Sequence, residues 1–115
     1  MSKPALPFSP CREVGDMLYL SGEVPFADDG TIPEGIEAQT DLVLARISRT
    51  LATKGLTLDD VVSATVYLTD KSDFGPFNIA YARHFSDPLP VRTTLIADLV
   101  IPARLEITVI AKLRN

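Results

Sequence analysis

Apolar residues recur along the chain with two different periods, and the switches between them mark out the elements. Arg12-Glu13-Val14 and Met17-Leu18-Tyr19-Leu20-Ser21 flank Gly15-Asp16, a two-residue turn signal that predicts a hairpin. A stretch rich in breakers follows Gly22 (Pro25, Asp28, Asp29, Gly30, Pro33, Gly35) and predicts a loop. From Ile36 to Lys54 the period becomes helical, with Ile36, Val43, Ile47 and Leu51 on one stripe and Gly55 placed to close the C-terminus. Val61 to Thr69 alternates, with Val62, Ala64, Val66 and Leu68 on one side and Ser63, Thr65, Tyr67 and Thr69 on the other. Ser72 or Asp73 is set to cap a second helix. That helix turns Phe74, Phe77, Tyr81 and Phe85 inward and carries His84 in its last turn, and Pro88-Leu89-Pro90 ends it. Two strands follow, about Arg92–Leu99 and Leu105–Leu113, joined through Pro102, while Met1 to Leu6 reads as a loose arm. The order is ββαβαββ: a single α+β domain spanning residues 1–115, with both helices on one face of the sheet.

Strand parity extends this to assembly. Leu18, Leu20, Val62, Val66, Leu95, Ala97, Ile107 and Val109 are expected to face the helices. The other face then carries Met17, Tyr19, Ser21, Ser63, Thr65, Tyr67, Arg92, Thr94, Ile96, Glu106, Thr108 and Ile110. That set is too apolar for open water and too polar for a core, which predicts a subunit contact. With Arg92, Glu106 and Ser21 on it, a site is expected at the subunit boundary.

Composition narrows the class. A chain of 115 residues buries about 65% of its unfolded surface, enough for one core. A net charge of −4, with Lys and Arg scattered, argues against a nucleic-acid binder driven by backbone contacts. The single cysteine, Cys11, makes no internal disulfide and suits a reducing compartment. No run approaches about 18 apolar residues and no signal-peptide segment leads the chain, so a cytoplasmic protein outside the membrane is expected. One histidine and one cysteine form neither a catalytic triad nor a metal-ligand cluster, so no metal is expected.

The chemistry concentrates in Pro90-Val91-Arg92-Thr93-Thr94 and Leu105-Glu106-Ile107. A guanidinium and a carboxylate inside two half-apolar strands are expensive to bury without a purpose. Arg holds a planar carboxylate by two parallel hydrogen bonds, and Glu orients water or carries a proton. A structural reading stands beside this one: Arg92 pairs with Asp98 or Glu106, and Glu106 is a strand carboxylate facing solvent.

Taken in order, several segments resemble the RidA (YjgF-like) family of enamine and imine deaminases. They are Leu20-Ser21-Gly22-Glu23-Val24-Pro25, Gly35-Ile36-Glu37-Ala38-Gln39-Thr40, Leu58-Asp59-Asp60-Val61-Val62, Val66-Tyr67-Leu68-Thr69-Asp70 and Asp73-Phe74. Asn78-Ile79-Ala80-Tyr81, Pro90-Val91-Arg92-Thr93-Thr94 and Leu105-Glu106-Ile107 complete the set, over about Pro7 to Lys112. The resemblance implies a homotrimer with a chorismate-mutase-like αβ fold, sites in the clefts between subunits, and no cofactor. It implies hydrolysis of intermediates such as 2-aminoacrylate to 2-keto acids and ammonia. Arg92 matches the arginine that binds the substrate carboxylate, and Glu106 the glutamate that positions water and moves protons. Ser21, with Gly22 beside it, matches the pocket serine, and Asn78 a polar residue near the site. The family's pocket tyrosine is Phe8 here, after Pro7, and the cysteine often found two residues past the arginine is Thr94. The segment from Tyr81 to Arg92 is also shorter than usual. Two rival readings are a non-catalytic 2-keto-acid-binding sensor or chaperone-like trimer, supported by Phe8, and a single-strand ribonuclease, opposed by the acidic balance.

Overall fold

The computed structural model describes residues 6–114, so most of the predicted N-terminal arm lies outside the described residues. The ββαβαββ order is as expected: β1 (Cys11–Val14), β2 (Met17–Leu20), α1 (Ile36–Ala52), β3 (Val61–Leu68), α2 (Phe74–Ala82), β4 (Val91–Ile96) and β5 (Leu105–Lys112). The five strands form one sheet in the order β1-β2-β5-β3-β4, with β3 and β4 parallel and the other neighbours antiparallel. A parallel pair needs a crossover, and α2 supplies it. That connection lays α2 over β4, which sets the environment of Arg92.

Both helices bury one stripe against the same sheet face. Val43, Leu44, Ile47 and Leu51 of α1 and Phe77 and Tyr81 of α2 pack with Leu18, Ala64, Val66, Leu68, Leu105, Ile107 and Val109. The end of α1 comes at Ala52, earlier than Lys54, and Gly55 at φ 71° lets the Leu56 N–H bond back to the Leu51 carbonyl at 3.0 Å. The start of α2 differs from expectation. Asp70 accepts from the Ser72 N–H at 2.8 Å, whereas Asp73 makes no capping bond. Asp73 is buried and takes both forks of Arg104, at 2.9 and 3.3 Å, a long-range ion pair that competes for the carboxylate. The helix stops at Ala82, so His84 lies beyond it and bonds Asp41 of α1 at 2.7 Å. Phe74 is half exposed rather than turned into the core.

Two expectations of facing are corrected. The pairing of β3 with β5 slips between Val61 and Ser63, and this bulge buries Val61 and turns Val62 out. On β4 the facing is reversed. Arg92 pairs with Ala64, Thr94 with Val66 and Ile96 with Leu68, and those partners are buried under the helices. Directly paired residues share a face, so Arg92, Thr94 and Ile96 point to the helices. Val91, Thr93 and Leu95 take the opposite face, where Val91 and Leu95 are exposed. That open face carries Tyr19, Ser63, Thr65, Tyr67, Glu106, Thr108 and Ile110 as expected.

Candidate functional site

Arg92, the second residue of β4, lies under the middle of α2. Its Nη2 donates to Asn78 Oδ1 at 2.7 Å. Its Cζ lies 5.9, 5.3 and 4.9 Å from the ring centroids of Phe74, Phe77 and Tyr81, so three aromatic residues on the helix cradle the cation. Cation–π contacts contribute about 0.5–1 kcal/mol each at exposed sites and about 2 kcal/mol where water is excluded. The ion pairs among the described residues engage other basic groups and leave Arg92 without a carboxylate. Neither Asp98 nor Glu106 serves as its ion-pair partner. A guanidinium has five N–H donors, and the hydrogen bond to Asn78 engages one nitrogen. Beside it opens a hollow of about 340 Å³ lined by Asn78, Tyr81, Ala82, Leu89, Pro90 and Arg92.

Glu106 stands on the other face of the sheet. It pairs with Tyr67 across β5 and β3 and lines a hollow of about 290 Å³ with Tyr67, Ala97, Asp98, Leu99, Val100 and Thr108. The chain beyond β2 comes back to it: Glu23 pairs with Ile107, its N–H bonding the Ile107 carbonyl at 2.8 Å. This brings the backbone of Gly22 against the carboxylate. A Cβ on Gly22 would meet Glu106 Oε2 at 2.1 Å, so only glycine permits the approach. The lack of a side chain at Gly22 thus leaves the space that the Glu106 carboxylate occupies.

Ser21 is tied elsewhere. Its hydroxyl donates to the Ser9 carbonyl at 2.5 Å and its N–H to the Pro10 carbonyl at 3.0 Å, so it anchors the segment that carries Phe8. Phe8 itself is 59% exposed.

The structure therefore brings Asn78 to Arg92 and Gly22 to Glu106, and leaves the two charged groups on opposite faces with β3 between them. Sequence reasoning placed them on one face. It also treated Tyr81 only as core, although Asn78 and Tyr81 are three apart on one helical turn and so share a face.

A second charged hollow is satisfied by its own side chains. The one of about 590 Å³ around Phe26, Asp28, Asp29, Arg46 and Arg49 is walled by Arg46 bound to Glu23 and Arg49 bound to Asp28. No group of three His, Cys, Asp or Glu side chains among the described residues is placed to hold a metal ion. No helix among them is long and apolar enough to cross a membrane.

Comparison with known proteins agrees with the layout. The family described as Endoribonuclease L-PSP matches residues 1–113. A RutC family protein of Saccharolobus solfataricus is 41% identical over 96% of this chain and 90% of its own. The mitochondrial protein MMF1 of Saccharomyces cerevisiae is 31% identical over 96% of this chain and 78% of its own. The crystal structure of RidA from an Antarctic Psychrobacter superposes with a TM-score of 0.90 at 31% identity, covering 96% of this chain and 92% of that one.

Proposed function

Because the chain belongs to the Endoribonuclease L-PSP family, the YjgF/RutC/RidA group, we propose that it is a 2-iminobutanoate/2-iminopropanoate-type deaminase. On this reading it hydrolyses reactive enamines and imines such as 2-aminoacrylate to 2-keto acids and ammonia. The observation that carries this reading is Arg92: a half-buried guanidinium on an aromatic cradle, with no carboxylate partner among the described residues and a hollow beside it. It is built to receive an anion from outside the chain.

The enamine tautomerises to the imine, and water adds to the imine carbon. The resulting carbinolamine expels ammonia and leaves the 2-keto acid. Arg92 fixes the substrate carboxylate and thereby the imine carbon, an effect of proximity and orientation. Glu106 accepts a proton from the attacking water and returns it to the departing nitrogen. Since Arg92 and Glu106 of one subunit open on different faces, the pair meets between subunits of a homotrimer, the open sheet face forming the contact. Generating 2-aminoacrylate in situ and following pyruvate release tests the reading, with light scattering on the same sample. A rate no faster than the protein-free control, or a stable monomer at micromolar concentration, overturns it.

Gly22 supplies a further expectation. Gly22→Ala pushes the Glu106 carboxylate, the flexible end of a side chain, out of place while the strand pairing at Glu23 remains. Turnover should fall about 10²-fold, the cost of a misplacement on the order of 1 Å. Binding of the 2-keto acid product at Arg92 should stay near wild type. Calorimetry beside the turnover assay checks this, and equal losses in both would show that Gly22 acts on the fold.

A keto-acid sensor that binds without turnover is the second reading, favoured by Phe8, where the family's hydroxyl is missing. The same assay separates the two, because a sensor binds pyruvate and does not accelerate its formation. The ribonuclease reading has less support, since Arg46, Arg49, Arg83, Arg104 and Arg114 are all spent on carboxylates. What remains is no basic face for a phosphate backbone.

A further inference from the structure

Tyr81 lies within the Arg92 pocket and carries a group the chain itself does not use. The residue is only 7% exposed, and its hydroxyl is buried without a hydrogen-bond partner. Buried hydroxyls are nearly always paired, so an orphan donor in the wall of a hollow calls for an explanation. Its ring centroid is 4.9 Å from the Arg92 Cζ, and both residues line the same hollow. The other buried hydroxyl without a partner, on Thr94, faces a separate hollow with Leu68, Phe74, Leu95 and Ile96.

We propose that the Tyr81 hydroxyl is the second hydrogen-bond donor of the Arg92 pocket and donates to the carboxylate that Arg92 holds. This rests on the reading of Arg92 as the carboxylate anchor. An ionised carboxylate only accepts, and its two oxygens offer more sites than one guanidinium edge fills. The oxygen is buried in the wall of the hollow that Arg92 also lines. Burial pushes the Tyr81 hydroxyl above its ordinary pKa, while the charge of Arg92 pulls the other way more weakly, so the phenol keeps its proton at neutral pH.

Calorimetry with 2-oxobutanoate and with butanoate, on the wild-type protein, Tyr81→Phe and Arg92→Ala, tests the assignment. The wild type should bind both acids and Arg92→Ala neither. Tyr81→Phe should weaken both by about tenfold or more, the usual worth of a hydrogen bond to a charged group. Its melting temperature and solution mass should not fall, because the hydroxyl has no hydrogen-bond partner among the described residues. If Tyr81→Phe binds both acids as the wild type does, the hydroxyl is not a ligand donor and the proposal falls while the role of Arg92 stands. If it melts lower or loses its assembly, the hydroxyl has a structural partner and the proposal also falls. If the wild type binds neither acid, the reading of Arg92 fails first and takes this one with it.

Discussion

Replacing Arg92 by alanine is expected to abolish 2-keto-acid binding and deaminase turnover while the protein stays folded. Among the described residues Arg92 makes no ion pair, and its polar and cation–π contacts are one hydrogen bond to Asn78 and the faces of three rings. Removing one partner of a buried ion pair leaves an uncompensated charge and destabilises strongly. Removing this guanidinium leaves none. A charge-assisted hydrogen bond is worth about 1.5–3 kcal/mol, so loss of the anchor costs at least about tenfold to a hundredfold in affinity. Arg92→Lys is the sharper variant. It keeps the charge and loses the planar fork, so it should retain weak binding and little turnover. Circular dichroism melts together with calorimetry check both variants. An alanine variant that unfolds would make Arg92 structural, and one that is folded and fully active would place the site elsewhere.

Much of this was legible in the chain because periodicity reports burial. The α1 stripe and the alternation of β5 follow from which face is buried, and both appear as expected. What escaped depends on pairing, which a single sequence does not display. The facing of β4 was inferred from apolar Leu95 and Ala97. As an edge strand it instead exposes Val91 and Leu95, because the parallel register with β3 turns Arg92 and Thr94 under α2. Val62 was misassigned because a bulge is invisible in a run of β-formers. Asp73 was read as a cap because its true partner, Arg104, is distant in sequence. The candidate residues fared similarly. Arg92, Asn78, Gly22 and Glu106 stand out in the chain, but their division between the two faces of the sheet follows from strand order and register alone.

That division leads to the last expectation. Arg92 opens beside α2 and Glu106 opens on the bare sheet face, so a site that uses both takes them from different subunits. Glu106→Gln alone should lower turnover by about 10²- to 10⁴-fold, the range for a lost general base, while leaving keto-acid binding largely intact. Arg92→Ala alone should be silent in both assays. When the two inactive variants are co-assembled in equal amounts, some interfaces pair an intact Arg92 from one subunit with an intact Glu106 from its neighbour. For random mixing in a cyclic trimer, about one interface in four has this composition, so about a quarter of wild-type turnover should return. A site contained within one subunit gives no such recovery at any mixing ratio, because every subunit then lacks one of the two groups. Recovery rising and falling with the product of the two variants' fractions would establish the shared site. A flat line at the level of the separate variants would overturn it.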